Sequence, residues 1–232
     1  VTNTGIYSGA TTFELTLTSA PLSNNGYLYR VIVGGICSPT ITSDVAVLTV
    51  QQDPVITTPP SDQTVCEGAN ATFTVAATGT GLSYQWQKGG VDIGGATSSS
   101  LTLNNVSAVT DAGAYTVIVR GTCDATGVTS IAANLVINEV PEILIQPLNS
   151  TICENSTTTF TVNAGVTTAA TYQWQVSTNG GVSFSNVTNT GIYSGATTFE
   201  LTLTSAPLSN NGYLYRVIVG GICSPTITSD VA

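Results

Sequence analysis

The stretch Val1 to Ala46 recurs letter for letter as Val187 to Ala232, an internal repeat with an offset of 186 residues. Both copies carry the same apolar pattern and so pose the same burial problem, which repeat proteins solve by stacking like units along one direction. A chain that ends at the phase of its own beginning predicts a longer array, of which these residues cover about one and a quarter periods. Such arrays act as spacers, fibres or multivalent surfaces.

Composition narrows the class of protein. There are only 4 Lys and Arg, 13 Asp and Glu and no His, and charged residues make up 7% of the chain, against roughly 25% in an ordinary soluble domain. Thr, Ser, Asn and Gly take the polar positions, and Thr suits the solvent face of a strand because it is β-branched. A net charge of −9 argues against nucleic acid or an anionic membrane surface as partner, since both are met by clusters of Lys and Arg. No apolar run is long enough to predict a membrane span. The 5 cysteines form neither a CxxC pair nor a Cys/His cluster, so zinc is not expected. Cysteines without His and with almost no Lys predict a secreted, oxidised protein.

Period-two alternation marks the same series of strands twice. Phe73, Val75 and Ala77 point to one side and Thr72, Thr74 and Ala76 to the other. Tyr84 and Trp86 follow, then Leu101 and Leu103, then Tyr115, Val117 and Val119. The second series is Phe160, Val162 and Ala164, then Tyr172 and Trp174, then Phe199, Leu201 and Leu203, then Tyr215, Val217 and Val219. Each predicts a two-sheet sandwich of about 90 residues.

Trp86, Trp174 and the run Asp111-Ala112-Gly113-Ala114-Tyr115 carry a resemblance to the immunoglobulin fold. The tryptophans stand at its third-strand core position and the run matches its Asp-x-Gly-x-Tyr approach to the tyrosine corner. The second unit departs from the pattern, with Asn211 in the Asp position and Tyr215 at the corner. Val117 and Val217 stand where the family has its second cysteine, and Val75 and Val162 where it has the first. The family's inter-sheet disulfide is therefore not expected, and a Trp against Val pairs is expected to pin each core.

On that frame the chain is all-β, a set of tandem immunoglobulin-like sandwiches arranged as a linear rod. Residues 1–51 are the C-terminal half of one domain, 52–138 a complete domain, and 139–232 a domain lacking the end of its last strand. The joints around Asp53-Pro54 and Glu139-Val140-Pro141 are short and hold proline, which predicts stiffness. At about 3.3 Å per strand residue, one period would advance roughly 75 to 80 Å. Residues 1–51 lack the first strands and the core Trp, so by themselves they expose a sheet face and unpaired edges. Upstream chain, or residues equivalent to 140–186 from another copy, would complete them.

Cysteine positions fall into two classes. Cys66 and Cys153 lie at the turn before the second strand, whereas Cys37, Cys123 and Cys223 follow the sixth. In an immunoglobulin-type sandwich those two places are at opposite ends, roughly 25 Å apart, and a disulfide needs Cα atoms within about 7 Å. Head-to-tail stacking would bring them together across a joint, pairing Cys66 with Cys223 and leaving Cys37, Cys123 and Cys153 to partners outside these residues. The alternative pairs Cys66 with Cys123 and Cys153 with Cys223 within domains, with Cys37 left over.

Other signals are weak. Without His, and with Lys88 as the only lysine, no nucleophile–base pair is in view and no enzyme is predicted. Asp53, Glu139 and Glu142 do not form a calcium-loop series, and neither cofactor nor metal is expected. Asn70, Asn105, Asn149, Asn155 and Asn186 head Asn-x-Ser/Thr triplets, common by chance in such a composition. Tyr7 and Tyr193, in Gly-Ile-Tyr-Ser-Gly, either touch sugars or proteins or cap the sandwich.

The phrases Val-Cys-Glu-Gly, Tyr-Gln-Trp-Gln, Asp-Ala-Gly-Ala-Tyr and Val-Arg-Gly-Thr-Cys, with Tyr-Ser-Gly-Ala-Thr-Thr and Asn-Gly-Tyr-Leu-Tyr-Arg in the second unit, resemble the immunoglobulin-like repeats of giant Bacteroidota surface proteins. That resemblance implies type IX secretion, an extracellular cell-surface location and a gliding-type adhesin. The expected function is a structural stretch of a long filament or adhesin stalk. Its expected partners are neighbouring repeats of the same chain, with lateral copies as a further possibility; a multivalent binder of polysaccharide or protein is the alternative.

Overall fold

The computed structural model describes residues 1–232, and the chain packs as two units. One comprises residues 1–61, 73–101 and 114–133, the other residues 62–72, 102–113 and 134–232.

In the first unit the strand Ser83–Lys88 pairs antiparallel with Gly113–Arg120, setting Trp86 opposite Val117 and Tyr84 opposite Val119. Gly89 and Gly90, both at positive φ, turn the chain back into Val91–Asp92, as a two-residue hairpin requires. Val128–Thr129 extends the sheet on the other side of Gly113–Arg120. Along that long strand Tyr115, Val117 and Val119 are buried and the residues between them are partly covered, the alternation of a sheet with one face on a core. Phe73 stacks on Tyr115 at 4.9 Å between ring centroids and lies 6.2 Å from Trp86. The Trp86 Nε1–H donates to the Ser98 carbonyl at 2.9 Å.

The second unit holds the same arrangement in other residues. Thr171–Ser177 pairs with Leu214–Gly220, setting Trp174 opposite Val217, and Thr158–Thr161 pairs with Glu200–Leu203, setting Phe160 opposite Leu201. Phe160 stacks on Tyr215 at 4.9 Å and lies 6.4 Å from Trp174, whose Nε1–H donates to the Thr198 carbonyl at 3.0 Å. Around these rings Val162, Ala196, Leu201, Leu203, Val217 and Val219 close one apolar cluster. The same unit contains the parallel pair Gln63–Cys66 and Ala133–Asn138, with Cys66 opposite Asn138.

One expectation about the core needs correcting. Alternation points Phe199 inward with Leu201 and Leu203, yet it is exposed. The strand begins only at Glu200, so the alternation that buries Leu201 and Leu203 does not reach back to it. Beside each Trp a Phe ring stacks on the corner Tyr, a contact of about 0.5–1.5 kcal/mol beyond the area it buries.

Candidate functional site

One place stands apart from ordinary core, a covalent crosslink. Cys66 closes its strand beside Asn138, and the Glu67 N–H donates to the Asn138 carbonyl at 2.9 Å. Cys223 follows the strand Leu214–Gly220 through Gly221 and Ile222, and its Sγ lies 3.5 Å from that same carbonyl. The two cysteines form a disulfide, with Cα atoms 5.8 Å apart at a sequence separation of 157, inside the range a disulfide permits. Cys37, Cys123 and Cys153 are exposed free thiols.

The chain beside the crosslink is stitched down by a threonine. The Glu139 N–H donates to Thr168 Oγ1 at 2.7 Å, and the Ile222 N–H to the Thr168 carbonyl at 3.1 Å. A Cβ on Gly221 would sit 2.8 Å from that carbonyl, so only glycine fits there. In the first unit the pattern recurs. The Gln52 N–H donates to Thr80 Oγ1 and the Thr122 N–H to the Thr80 carbonyl, both at 2.9 Å, and a Cβ on Gly121 would crowd Pro54 at 3.1 Å. The Cys123 thiol donates to Gln51 Oε1 at 3.5 Å. Cys123 thus stands to Gln51 as Cys223 stands to Asn138.

An acidic contact sits beside the bond. A hydrogen bond to the Glu67 side chain, with partial desolvation and repulsion from Glu67 and Glu142, pushes the Glu139 carboxyl above its ordinary value. The native state therefore holds this proton more tightly than the unfolded one. That contribution to stability is complete below the ordinary carboxylate range and is lost as pH rises through the raised value. Glu139→Gln is expected to melt higher than the parent at pH 7 and at the same temperature below about pH 4; thermal melts across that range measure it.

The two copies of the repeated sequence differ in cover. Val217 and Val219 are both 0% exposed, whereas Val31 and Val33, the same residues in the other copy, are 49% and 61% exposed. In 187–232 the strand Leu214–Gly220 is paired along its length by Thr171–Ser177. In the first copy the corresponding stretch holds two short strands, Leu28–Tyr29 and Ile32–Val33, paired with Ala46–Val47 and Ile41–Thr42 respectively. A groove of about 920 Å³ lies over this surface, lined by Tyr7, Ala10, Leu15, Tyr29 and Val31 among others.

The loop tyrosines turn inward. Tyr193 Oη lies 3.1 Å from Tyr215 Oη, and Tyr7 Oη 3.0 Å from Tyr29 Oη. The hydrogen bond to Tyr7 pushes the Tyr29 phenol up to about 12. Burial, then the bond to Tyr193, raise Tyr215 further.

Several structural residues carry weak but legible signals. Ser43, Ser130 and Ser229 recur in Thr-Ser after each late cysteine, and their hydroxyls accept from the N–H of Val31, Val117 and Val217 at 3.1, 3.1 and 2.9 Å. Gln85 and Gln173, one residue before each Trp, donate through Nε2 to the backbone of the next segment, at Ile93 and Val187. Ser229→Ala orphans a buried N–H and is expected to cost about 1–3 kcal/mol, read from urea unfolding.

No group of three or more His, Cys, Asp or Glu converges to hold a metal ion, and no helix is long and apolar enough to cross a membrane. Residues 53–120 match the family model of the immunoglobulin domain, and residues 146–232 match a family described only as a domain of unknown function, DUF8696. No curated protein matches the chain. Among solved structures, the I-band fragment I67-I69 of titin is similar at TM-score 0.71 and 14% identity, over 100% of this chain and 82% of that one. Sidekick-1 immunoglobulin domains 1–4 give 0.56 and 17%, over 97% and 62%. The N-terminal eight domains of Down Syndrome Cell Adhesion Molecule give 0.61 and 15%, over 94% and 29%. At these identities the likeness establishes fold alone. The chain is all-β, built of tandem immunoglobulin-like sandwiches.

Proposed function

We propose that this chain is a structural repeat segment of a long extracellular filament or adhesin stalk, whose joints are locked by disulfides. With the domain boundaries proposed after residues 51 and 138, Cys66–Cys223 is a bond across a joint. That bond is the observation that carries the reading, because a crosslink at a joint resists bending and peeling without serving either core. The period supplies the rest of the ladder. Cys37 is the repeat copy of Cys223, so its partner is a copy of Cys66 one period earlier. Cys123, held beside Gln51, awaits a copy of Cys153.

The resemblance of the repeat phrases is what supports reading the filament as one borne by a Bacteroidota cell, exported by a type IX route and used for adhesion or gliding. A Thr-rich surface, no converging nucleophile and base, and loop tyrosines bonded to their own sandwich support a stalk over a catalyst or a sugar binder. Imaging of purified protein several periods long, with and without reductant, tests the reading. Reduction is expected to shorten the mean end-to-end distance by freeing the joints. Unchanged length and stiffness would reject the disulfide lock.

A further inference from the structure

We infer that a thiol opens the Cys66–Cys223 bond by attack on the Cys66 sulfur, and that the expelled Cys223 sulfur closes it again, so the crosslink repairs itself. This holds whatever the chain is used for, because it follows from the surroundings of the bond alone. Both cysteines and the groups around them belong to the unit that holds residues 62–72 and 134–232. The two sulfurs are not equivalent there. Cys66 ends a strand and is partly exposed, whereas Cys223 is 2% exposed. Access decides which sulfur of a disulfide is attacked, and it selects Cys66. The Asn138 carbonyl oxygen, 3.5 Å from Cys223 Sγ, turns its negative end to the other sulfur and repels an incoming thiolate there.

In the opening step a thiolate R–S⁻ bonds to Cys66 Sγ, the Cys66–Cys223 bond breaks, and its electron pair leaves on Cys223 Sγ. The products are a mixed disulfide on Cys66 and a thiolate on Cys223, with the incoming thiol as reductant. Burial and the Asn138 carbonyl both disfavour charge on that sulfur. A sulfur that holds charge badly leaves slowly and, once expelled, is a strong nucleophile. It also stays in place. The Ile222 N–H donates to the Thr168 carbonyl at 3.1 Å and the Glu67 N–H to the Asn138 carbonyl at 2.9 Å. Gln63–Cys66 keeps its parallel partner Ala133–Asn138, and none of these contacts involves a sulfur. The Cys223 thiolate therefore faces the mixed disulfide at high effective concentration. It attacks Cys66 Sγ, restores the crosslink and expels R–S⁻ unchanged. Full reduction needs a second thiolate to take R–S from Cys66 as R–S–S–R before Cys223 returns, and so needs reductant in excess.

The test uses the full chain carrying Cys37→Ser, Cys123→Ser and Cys153→Ser, so that only the crosslinked pair can react. Cysteamine is the probe. Its reactive form carries an ammonium beside the thiolate, so the Glu67 carboxylate next to Cys66 does not repel it as it would an anion. Samples taken early, quenched in acid, alkylated and mapped by mass spectrometry are expected to carry the cysteamine adduct on Cys66 at least about tenfold more often than on Cys223. Removing the excess cysteamine before full reduction is expected to return the crosslink at a rate independent of protein concentration, as an intramolecular step requires. Adducts shared equally between the two cysteines, or gathered on Cys223, would overturn the inference. So would an adduct on Cys66 that persists once cysteamine is removed, or a return of the crosslink that slows when the protein is diluted.

Discussion

Replacing both Cys66 and Cys223 with alanine is expected to lower the unfolding free energy by about 2–5 kcal/mol. The bond closes a loop of 157 residues, and the chain-entropy model assigns such a loop about 5 kcal/mol at 25 °C. Strain and residual structure in the unfolded chain usually reduce that figure. Nothing else at this place is of comparable size: the hydrogen bonds from Glu67 to Asn138 and from Glu139 to Thr168 contribute about 1 kcal/mol each. The variant should also show a steeper urea dependence, because an unfolded chain without the crosslink exposes more surface. Reductant should move the parent toward the variant and leave the variant where it is. An unchanged midpoint in the double variant would mean the bond restrains nothing that unfolds.

Much of the fold is legible because one face of each sheet is buried, so alternation alone separates Val117 from Ile118 and Val217 from Ile218. The reading stumbles where the strand stops. Phe199 keeps the phase of Leu201 and Leu203 but precedes the strand, and period two says nothing about where pairing starts. The stacking of Phe73 on Tyr115 and of Phe160 on Tyr215 joins residues far apart in sequence, and no local pattern encodes that. Cysteine spacing likewise leaves two pairings open, since separation along the chain does not fix separation in space. The serine tethers and threonine stitches are hidden by composition: where Thr and Ser are this common, a hydroxyl with a structural partner looks like any other. Their signal is recurrence at matching phase, Ser43, Ser130 and Ser229 after each late cysteine, and Thr80 and Thr168 before each Tyr-Gln-Trp-Gln.

Trp174→Ala should have the other large effect, about 3–5 kcal/mol from lost burial and the cavity left behind. Leaving the Thr198 carbonyl without its indole donor adds to that cost. Amide exchange at Val217 and Val219 should rise well above the parent's rates, while Tyr193–Ser194 and its partner strand change less, because their pairing does not involve the indole. Trp174→Phe keeps most of the apolar contact and loses the donor, so it should fall between parent and alanine variant. A loss below about 1 kcal/mol for Trp174→Ala, with Val217 and Val219 still protected, would mean that the strand pairing Thr171–Ser177 to Leu214–Gly220, rather than the ring, closes this face.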